Sequence, residues 1–523
     1  MKNIIRFLSV SLILCLFSGL LLIGMSGCVE LEPVNYNEIN PSIFPQSEED
    51  LQAMVMSCYY PLRGSWWDGI NHNSERGQMF INDCCTEILA GKFDAQLMCH
   101  QMSYREYNIA VTYFYYNRVS ERDDYSDGFA NKISRCTLVM DAIENSDLSQ
   151  DKKDRYIAEV RCARAYLSYI LFDMYGPLVV APLEVLKNPL KEEPLPRYTN
   201  EEMVKFIEDD LMFAGDHLPF PKQADYGKFS RGLAKTLLIR LYLHETVHDK
   251  AYYNKVEELA RELMGAEYGY SLLPEYTTLF EPAGMTKGNT EYIFVIPCSI
   301  EGPNLGQWQM MVMPTDADAS ILPMGWATIQ STWWFYDTFE PNDTRKTYFI
   351  TEYKGTDGEL RNRENPGQFM DLGPLPQKYP IERGTGALSN YDMVQYRYPE
   401  VLLSLAEAIV MKPGGSVAQE AVDLMNRVRT RAKLSEKKLS DFPSKEAFID
   451  QLLTERSHEF WCENGQYRAD LIRFDKLLDR VYDVLGGPQN APYASKDKYL
   501  FPLPLSVIVD GKGKVTQNPG YGI

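Results

Sequence analysis

The sequence predicts a mostly α-helical protein with a single globular body, tetratricopeptide-like helical hairpins and one long, irregular, loop-rich insertion. Two observations lead to this prediction. Apolar residues recur at three- and four-residue steps over several long segments, which is the spacing of one face of a helix. No Ser/Gly-rich or low-complexity linker divides the 523 residues, and 45% of them are hydrophobic, enough to bury one large core.

The predicted helices fall in an N-terminal helical part, 51–270, and a C-terminal part, 396–523. The periodic segments are 152–175, 202–218, 231–242, 252–264, 399–411, 418–432 and 445–463. Gly176-Pro177 ends the first segment, and Pro399 suits a first helical turn because its missing N–H has no helical partner there. Alanines lie where paired helices would approach closely, which favours tetratricopeptide-like hairpins, although no clean period near ~34 residues is present.

The segment 271–395 differs from the helical parts in composition and in the spacing of its apolar residues. Helical spacing fades, Pro and Gly become frequent, and short apolar runs such as 292–296 indicate isolated strands. Tryptophan and methionine are frequent in this segment. Because a long irregular segment inside a compact protein usually carries function, we expect a ligand or partner surface here.

The first 27 residues are typical of a secretory signal peptide. Lys2 and Arg6 precede an apolar run that ends in Met25-Ser26-Gly27-Cys28. This ending resembles the lipobox of bacterial lipoproteins, in which cleavage leaves the cysteine as an acylated first residue, although Met25 replaces the usual Leu. The alternative is an uncleaved transmembrane anchor, since the run is near the ~20 residues that span a bilayer. We expect lipidation at Cys28 and a flexible tether over 28–50.

The mature chain is strongly acidic. Removing residues 1–27 takes away two positive charges and no negative ones, so the net charge of −19 becomes −21. Such a surface repels phosphate backbones and anionic lipid head groups, which argues against nucleic acid as a partner. Attachment to a membrane is therefore expected through the lipid anchor only.

The ten cysteines show no metal-binding spacing. We interpret most of them as small buried hydrophobic residues, including Cys136, Cys162 and Cys462 in helical segments. An exported protein can carry a disulfide, but the sequence assigns none.

Four ordered blocks stand out in the C-terminal part. They are YRYPEVLLSLAEA at 396–408, AVDLMNRVRTRAKL at 421–434, Glu455-Arg456 with YRADLIR at 467–473, and FPLP at 501–504 with QNPGY at 517–521. Together with 159–177 and 210–219, these blocks resemble the SusD/RagB family of outer-membrane nutrient-binding lipoproteins over nearly the whole mature chain.

The resemblance implies a helical body, a lipid anchor in the outer membrane facing the cell exterior, and a SusC-like, TonB-dependent outer-membrane transporter as partner. It implies capture of a glycan (an oligosaccharide), or in some members a peptide, and delivery to that pore. No catalysis is implied. No phosphate-binding loop, dinucleotide fingerprint or EF-hand is present in the sequence, so no cofactor is expected.

The segment His244-Glu245-Thr246-Val247-His248 supports a rival hypothesis, a zinc-dependent hydrolase. On one helix the two histidines would share a face and hold zinc while the glutamate polarises a water, and Glu267 lies at the spacing of a third ligand. Asp249-Lys250 follow where zinc peptidases usually have uncharged and then apolar residues. The alternative, which we favour, is a solvated helix end.

A second rival hypothesis is paired-carboxylate glycosidase chemistry. Acids and arginines interleave on the apolar C-terminal helices, which favours a partly buried ion-pair network that holds helices in register. The residues concerned are Glu407, Arg429, Glu455, Arg456, Glu459, Arg468, Asp470 and Arg473.

Two aromatic clusters are the candidate ligand-binding sites, because sugar rings stack on flat aromatic side chains while their hydroxyls need fixed polar partners. The first cluster is Trp66, Trp67, Asp68, Asn71 and Asn73, and the second is Trp308, Trp326, Trp333, Trp334 and Tyr336. The alternative for any single tryptophan is core packing. The methionines near Trp308 could instead contact the transporter, since flexible thioethers suit partner surfaces.

Overall fold

The computed structural model describes residues 45–63, 70, 77–91, 128–188, 190, 193–302, 304–318, 320, 325, 329–492 and 494–522. The predicted signal peptide, Cys28 and most of the predicted tether lie outside these residues. None of the helices within the described ranges has the length and apolar composition needed to cross a membrane.

The α-helices of the described residues are numbered here in chain order. They are α1 (Glu48–Tyr59), α2 (Gln78–Asp83), α3 (Phe129–Glu144), α4 (Gln150–Tyr175), α5 (Leu183–Leu186), α6 (Asn200–His217), α7 (Arg231–Glu245), α8 (Tyr252–Leu263), α9 (Trp308–Val312), α10 (Trp333–Thr338), α11 (Tyr398–Met411), α12 (Gln419–Arg431), α13 (Lys445–Phe460), α14 (Tyr467–Arg473), α15 (Leu477–Leu485) and α16 (Leu505–Asp510). Single 3₁₀ turns occur at Tyr60–Leu62, Thr277–Phe280, Thr344–Tyr348, Leu439–Asp441, Pro488–Asn490 and Lys496–Lys498.

The strands are short and pair two by two. They are β1 (Leu89–Gly91), β2 (Tyr292–Ile296), β3 (Ile329–Ser331), β4 (Phe349–Ile350), β5 (Tyr353–Lys354), β6 (Leu360–Arg361), β7 (Leu375–Pro376) and β8 (Met393–Arg397). The antiparallel pairs are β1 with β3, β2 with β8, β4 with β7, and β5 with β6. The predicted strand at 292–296 therefore exists, and its partner is the strand that leads directly into α11.

The long helices pack against each other in chain order: α3 with α4, α4 with α6, α6 with α7, α7 with α8, α8 with α11 and α11 with α12. Leu51–Ile523 forms one compact unit. The mostly α-helical class, the globular body and the succession of helical hairpins are confirmed for this unit.

Local sequence signals set the helix ends. Thr199 and Glu202 form a capping box at the start of α6, where the Thr199 hydroxyl accepts from the Glu202 amide at 3.2 Å. Ser230 and Ser444 cap α7 and α13 in the same manner. Gly176 ends α4 with a φ of +74°, a backbone conformation that favours glycine. These signals explain why the predicted helix bounds lie close to the observed ones.

Candidate functional site

The segment His244 to His248 is divided between a helix and a turn. α7 ends at Glu245, and His248 is exposed in the turn that follows. Both carboxylate oxygens of Glu245 are engaged: Oε1 lies 2.8 Å from His244 Nδ1, and Oε2 accepts from Asn200 Nδ2 at 2.7 Å. Glu267 is exposed in a separate turn. Nowhere in the described ranges do three His, Cys, Asp or Glu side chains form a group that could hold a metal ion. The geometry therefore does not support the zinc hypothesis.

The charged residues of the C-terminal helices form a buried ion-pair network, as predicted. In its first part, Asp470 accepts from Arg240 Nη1 at 2.9 Å and from Arg456 Nε at 2.6 Å. It also accepts from Arg473 Nη2 at 3.0 Å, while Glu400 lies between Arg240 and Arg456. Burial alone would raise the pKa of Asp470, but the arginines hold it well below its ordinary value.

The second part of the network centres on Glu459 of α13. Arg397 Nη1 lies 2.7 Å from Glu459 Oε1, and Arg345 Nη1 lies 3.2 Å from Oε2. The other members are Glu291, Asp343, Lys378, Arg429, Arg431, Glu455 and Glu463. Because these carboxylates are paired with cations and closed off from solvent, they lack the open cleft that glycoside hydrolysis requires.

The two remaining residues of the predicted charged set are Glu407 and Arg468. Glu407 accepts from Arg473 Nη2 at 2.6 Å. Arg468 is buried, donates to the carbonyl oxygen of Tyr499 and lies 4.7 Å from the ring centre of Phe501. Arg468 therefore fixes the C-terminal loop rather than joining the carboxylates.

Trp308 lies in the core. Its side chain is 2% exposed and packs against Phe80 and Tyr379, with ring centroids 5.6 and 5.4 Å away. The methionines of 310–313 are buried as well. The structure does not support the predictions that Trp308 stacks on a ligand or that these methionines contact a transporter, because neither presents a face to solvent.

Trp333 and Trp334 are different, because both are partly exposed and line a cleft of about 240 Å³. We call this cavity the indole cleft. Its walls come from four segments of the chain, 84–90, 332–334, 371–372 and 481–485. The cleft therefore joins the loop-rich segment to the N-terminal part and to α15.

Helix α10 turns the two indoles outward. Thr332 caps this helix, since its Oγ1 accepts from the Phe335 amide at 3.0 Å and donates to the Glu87 carbonyl at 2.5 Å. Phe335 is 1% exposed and packs edge-on against Phe339 with centroids 5.0 Å apart. Because Phe335 occupies the inner face of α10, Trp333 and Trp334 are left towards solvent. The Trp333 ring is also held by a 3.2 Å bond from Nε1 to the Met370 carbonyl.

Charged groups lie around the two rings. The Arg363 guanidinium is 4.8 Å from the Trp333 ring centre and bonds to both oxygens of Asp337 at 3.0 Å. The Arg480 guanidinium is 5.8 Å from the Trp334 ring centre. Asp371 adds an exposed carboxylate to the cleft wall. Aromatic faces beside fixed donors and acceptors are what an oligosaccharide requires of a binding site.

Backbone contacts hold the wall that carries Asp371. Gln330 Oε1 accepts from the amides of Leu372 and Gly373 at 3.1 and 3.3 Å. A Cβ atom at Gly373 would lie 1.7 Å from the Ser331 carbonyl oxygen. Only glycine therefore allows this wall to approach β3 so closely.

Sequence reasoning missed part of this site. Arg363, Asp371 and Arg480 were not predicted as site residues, and they lie on segments with no local pattern that distinguishes them from ordinary surface charges. Tyr336 was predicted and is partly buried, with its ring edge-on to Trp333 at 5.8 Å and Lys346 Nζ 4.3 Å from its centre. The other predicted ligand residues, Trp66, Trp67, Asp68, Asn71, Asn73 and Trp326, lie outside the described residues.

Comparison with known proteins identifies relatives of this chain. The family model of the SusD family matches residues 362–521. SusD-like protein P2 of Formosa agariphila is 24% identical over 522 residues, which cover 96% of this chain and 98% of the relative. The starch-binding protein SusD of Bacteroides thetaiotaomicron is 24% identical over 446 residues, 74% of this chain and 76% of the relative.

Solved structures share the fold. A SusD superfamily protein from Parabacteroides distasonis superposes with a TM-score of 0.69 at 22% identity, covering 92% of this chain and all of that one. Surface glycan-binding protein A from Bacteroides thetaiotaomicron, solved with laminarihexaose, gives a TM-score of 0.68 at 20% identity over 91% of this chain and all of that one.

Residues 362–521 match the SusD family, and relatives named SusD-like are similar over most of the chain. The resemblance seen in the C-terminal blocks is thus confirmed, and the fold of SusD-superfamily structures extends over the helices of the N-terminal part as well. Among the blocks that carried the resemblance, Arg397, Glu400, Glu455 and Arg456 are members of the buried network. The most distinctive sequence motif of this chain therefore serves the core.

Proposed function

We propose that this protein is an outer-membrane surface lipoprotein that binds an oligosaccharide in the indole cleft. The observation that carries the proposal is the pair of partly exposed indole rings, Trp333 and Trp334, beside the cations Arg363 and Arg480 and the carboxylate of Asp371. Flat rings bind the C–H faces of sugars, and the charged groups bind hydroxyls. A neutral glycan is also compatible with the acidic charge of the chain.

The relatives support a glycan as ligand. One relative is named a starch-binding protein, and one structure of the same fold was solved with a bound laminarihexaose. Trp66, Trp67, Asp68, Asn71 and Trp326 remain proposed ligand contacts on the strength of their sequence pattern. Tyr336 is proposed as a support for the Trp333 ring.

Binding without catalysis completes the proposal. In the described residues, the carboxylates of the C-terminal helices are paired with arginines inside the core, and Glu245 is engaged by His244 and Asn200. These side chains are therefore poor candidates for general acids or for activating a water. We propose no cofactor and no metal.

For location and partner, we propose a lipid on Cys28, an orientation towards the cell exterior and delivery of the ligand to a SusC-like, TonB-dependent transporter. The signal-like N-terminus and the similarity to the SusD family support this part of the proposal. Co-purification of a large β-barrel protein with the full-length chain, and protease access to the chain on intact cells, are the expected results. A chain that is protected on intact cells and purifies alone would contradict this part.

The decisive test of the site is Trp334→Ala, measured by calorimetric titration against neutral oligosaccharides, including laminarihexaose and starch fragments. Loss of one stacking ring should weaken binding at least about 2- to 10-fold, because such contacts contribute about 0.5–1.5 kcal/mol beyond their buried area. Tyr252→Ala is the matched control, since this partly exposed tyrosine of α8 is absent from the cleft wall. Equal effects of the two variants would overturn the assignment of the site. Binding of peptides but of no oligosaccharide would show that the ligand is a peptide.

A further inference from the structure

A second cavity lies between α13 and α15. We call it the polar groove, and its volume is about 550 Å³, more than twice that of the indole cleft. Its wall from α13 consists of Ala447, Asp450, Gln451 and Thr454. Because these residues follow one another at steps of three, one and three positions, their side chains share one face of the helix.

The wall from α15 has the same pattern. It consists of Lys476, which directly precedes the helix, and of Asp479, Arg480 and Asp483, at the same steps of three, one and three. In helices that pack together, such facing rows are normally apolar. Here seven of the eight residues of the two rows are polar or charged. The two helices therefore leave a groove between them instead of a closed apolar contact.

Both signs of charge are present in the polar groove. Lys476 Nζ lies 3.0 Å from Asp450 Oδ1, so an ion pair links the two walls. Asp479 and Asp483 are exposed carboxylates one helical turn apart. Since like charges at this spacing weaken a helix, the stability of α15 does not account for this pair, whereas contact with a ligand does.

Arg480 joins the polar groove to the indole cleft. Its side chain lines the groove, and its guanidinium lies 5.8 Å from the Trp334 ring centre. Its Nε lies 3.8 Å from Oε1 of the buried Glu87, which keeps the guanidinium at this position. Val484, four residues after Arg480, lines the indole cleft. Because residues four apart are neighbours on a helix surface, the two cavities meet along this edge of α15.

We propose that the polar groove is a second subsite for the oligosaccharide and continues the indole cleft. The proposal rests on the proposed function, since it requires a glycan on the indole rings. Sugar hydroxyls both donate and accept hydrogen bonds, and the groove offers carboxylate acceptors beside lysine and arginine donors. A peptide is less suited to this surface, because peptide side chains bind through apolar anchors and the groove lining is mostly polar.

The arrangement also defines the size of the ligand. A glycan in the indole cleft reaches the polar groove only by passing the edge of α15, and a helix with its side chains is about 10–12 Å across. A disaccharide therefore occupies the cleft alone, whereas a longer oligosaccharide contacts both cavities. We expect affinity to increase with chain length until the groove is filled.

The first test compares short and long sugars by calorimetric titration of the full-length chain in detergent. The probes are laminaribiose with laminarihexaose, and maltose with maltohexaose. In Asp483→Ala, the ratio of hexasaccharide to disaccharide affinity should fall about 2- to 10-fold, as expected for a lost hydrogen bond. Asp209→Ala is the matched control, because this exposed carboxylate of α6 lies outside both cavities, and it should keep the wild-type ratio.

The second test labels exposed carboxylates with a carbodiimide and glycine ethyl ester, with and without the hexasaccharide that binds. Asp479 and Asp483 should be labelled several-fold less in the complex, and Asp209 should be labelled equally in both samples. This measurement on the wild-type chain decides the matter even if a variant fails to fold.

The outcomes separate the groove from the cleft. A wild-type ratio in Asp483→Ala, with weaker binding of both sugars in Trp334→Ala, would overturn the polar groove and leave the indole cleft in place. Equal labelling of Asp479 and Asp483 with and without the hexasaccharide would do the same. If Trp334→Ala changes no affinity, or if none of the four sugars binds the wild-type chain, the proposed function fails and the groove with it.

Discussion

The buried charge network and the indole cleft use arginine in opposite ways. In the network, Arg345 and Arg397 have no exposed surface, and carboxylates surround them. At the cleft, Arg363 and Arg480 keep part of their surface in water and lie over tryptophan rings. A charge enclosed by opposite charges cannot be removed without leaving its partners unpaired in the core, whereas a charge beside an open aromatic face is available to a ligand.

The largest expected effect comes from removing a central arginine of the network. Arg397→Met removes the one cation in the described residues that pairs with all three of the buried carboxylates Glu291, Glu459 and Glu463. We expect the free energy of unfolding to fall by about 3–5 kcal/mol in urea denaturation. Arg261→Met is the control, because the side chain of Arg261 is 45% exposed in its pair with Glu257 and should cost less than about 1 kcal/mol. Similar losses in both variants would contradict the distinction between core and surface charges.

Asp83 adjoins the wall of the indole cleft and bonds to the backbone beside the buried network. Protonation of its carboxylate gives the next largest expected effect on stability. Asp83 ends α2 next to the cleft wall, and its carboxylate accepts from the Cys462 amide at 2.8 Å. Burial raises its pKa from 3.8 to about 7, so the folded chain binds more protons than the unfolded chain between these values. The stability contributed by this group is therefore present at low pH and is lost as the pH rises from about 4 to 7.

Asp83→Asn removes that titration and makes it measurable. Between pH 4.5 and 7.5 the wild-type unfolding free energy should fall relative to the variant by roughly 3 kcal/mol. Urea denaturation at both pH values provides the comparison, and parallel pH profiles of the two chains would disprove the raised pKa.

The smallest predicted change in stability tests the cleft wall. Gly373→Ala places a Cβ atom against the Ser331 carbonyl and must shift the wall that bears Asp371. We expect a loss of about 1–3 kcal/mol in unfolding free energy and a several-fold weaker binding of the oligosaccharide found with the wild-type chain. Gly288→Ala, where a Cβ meets its nearest neighbour at 3.8 Å, should change neither quantity. If Gly373→Ala binds the oligosaccharide as tightly as the wild-type chain, this wall is not part of the binding site.

Local patterns predicted the helices, because a helix is specified by residues three and four positions apart. Segment 152–175 became α4, and the interleaved charges of the C-terminal helices became the network as predicted. Trp308 and Trp334 could not be distinguished in this manner, since both lie in the same loop-rich part of the sequence. What separates them is non-local: Phe80, more than 200 residues away in the chain, covers Trp308, while Phe335 takes the inward position beside Trp334.

The zinc hypothesis failed for a related reason. The spacing of His244 and His248 implies a shared helical face only if the helix continues, and α7 ends at Glu245. The cations at the cleft were missed because Arg363 and Arg480 approach the indoles from distant segments. Neither the end of α7 at Glu245 nor the approach of these two arginines to the indoles can be predicted from the neighbouring residues.

The order of the network along the chain has a consequence for biosynthesis. Arg345, Arg397 and Arg431 are all made before Glu455, Glu459 and Glu463 of the last helical part. A nascent chain that stops short of α13 holds guanidinium groups with too few carboxylates to neutralise them in a core. We therefore expect such a chain to remain unfolded and hydrated. Folding of the core therefore requires the last helices. Truncated chains should be removed by proteolysis rather than accumulate as folded fragments.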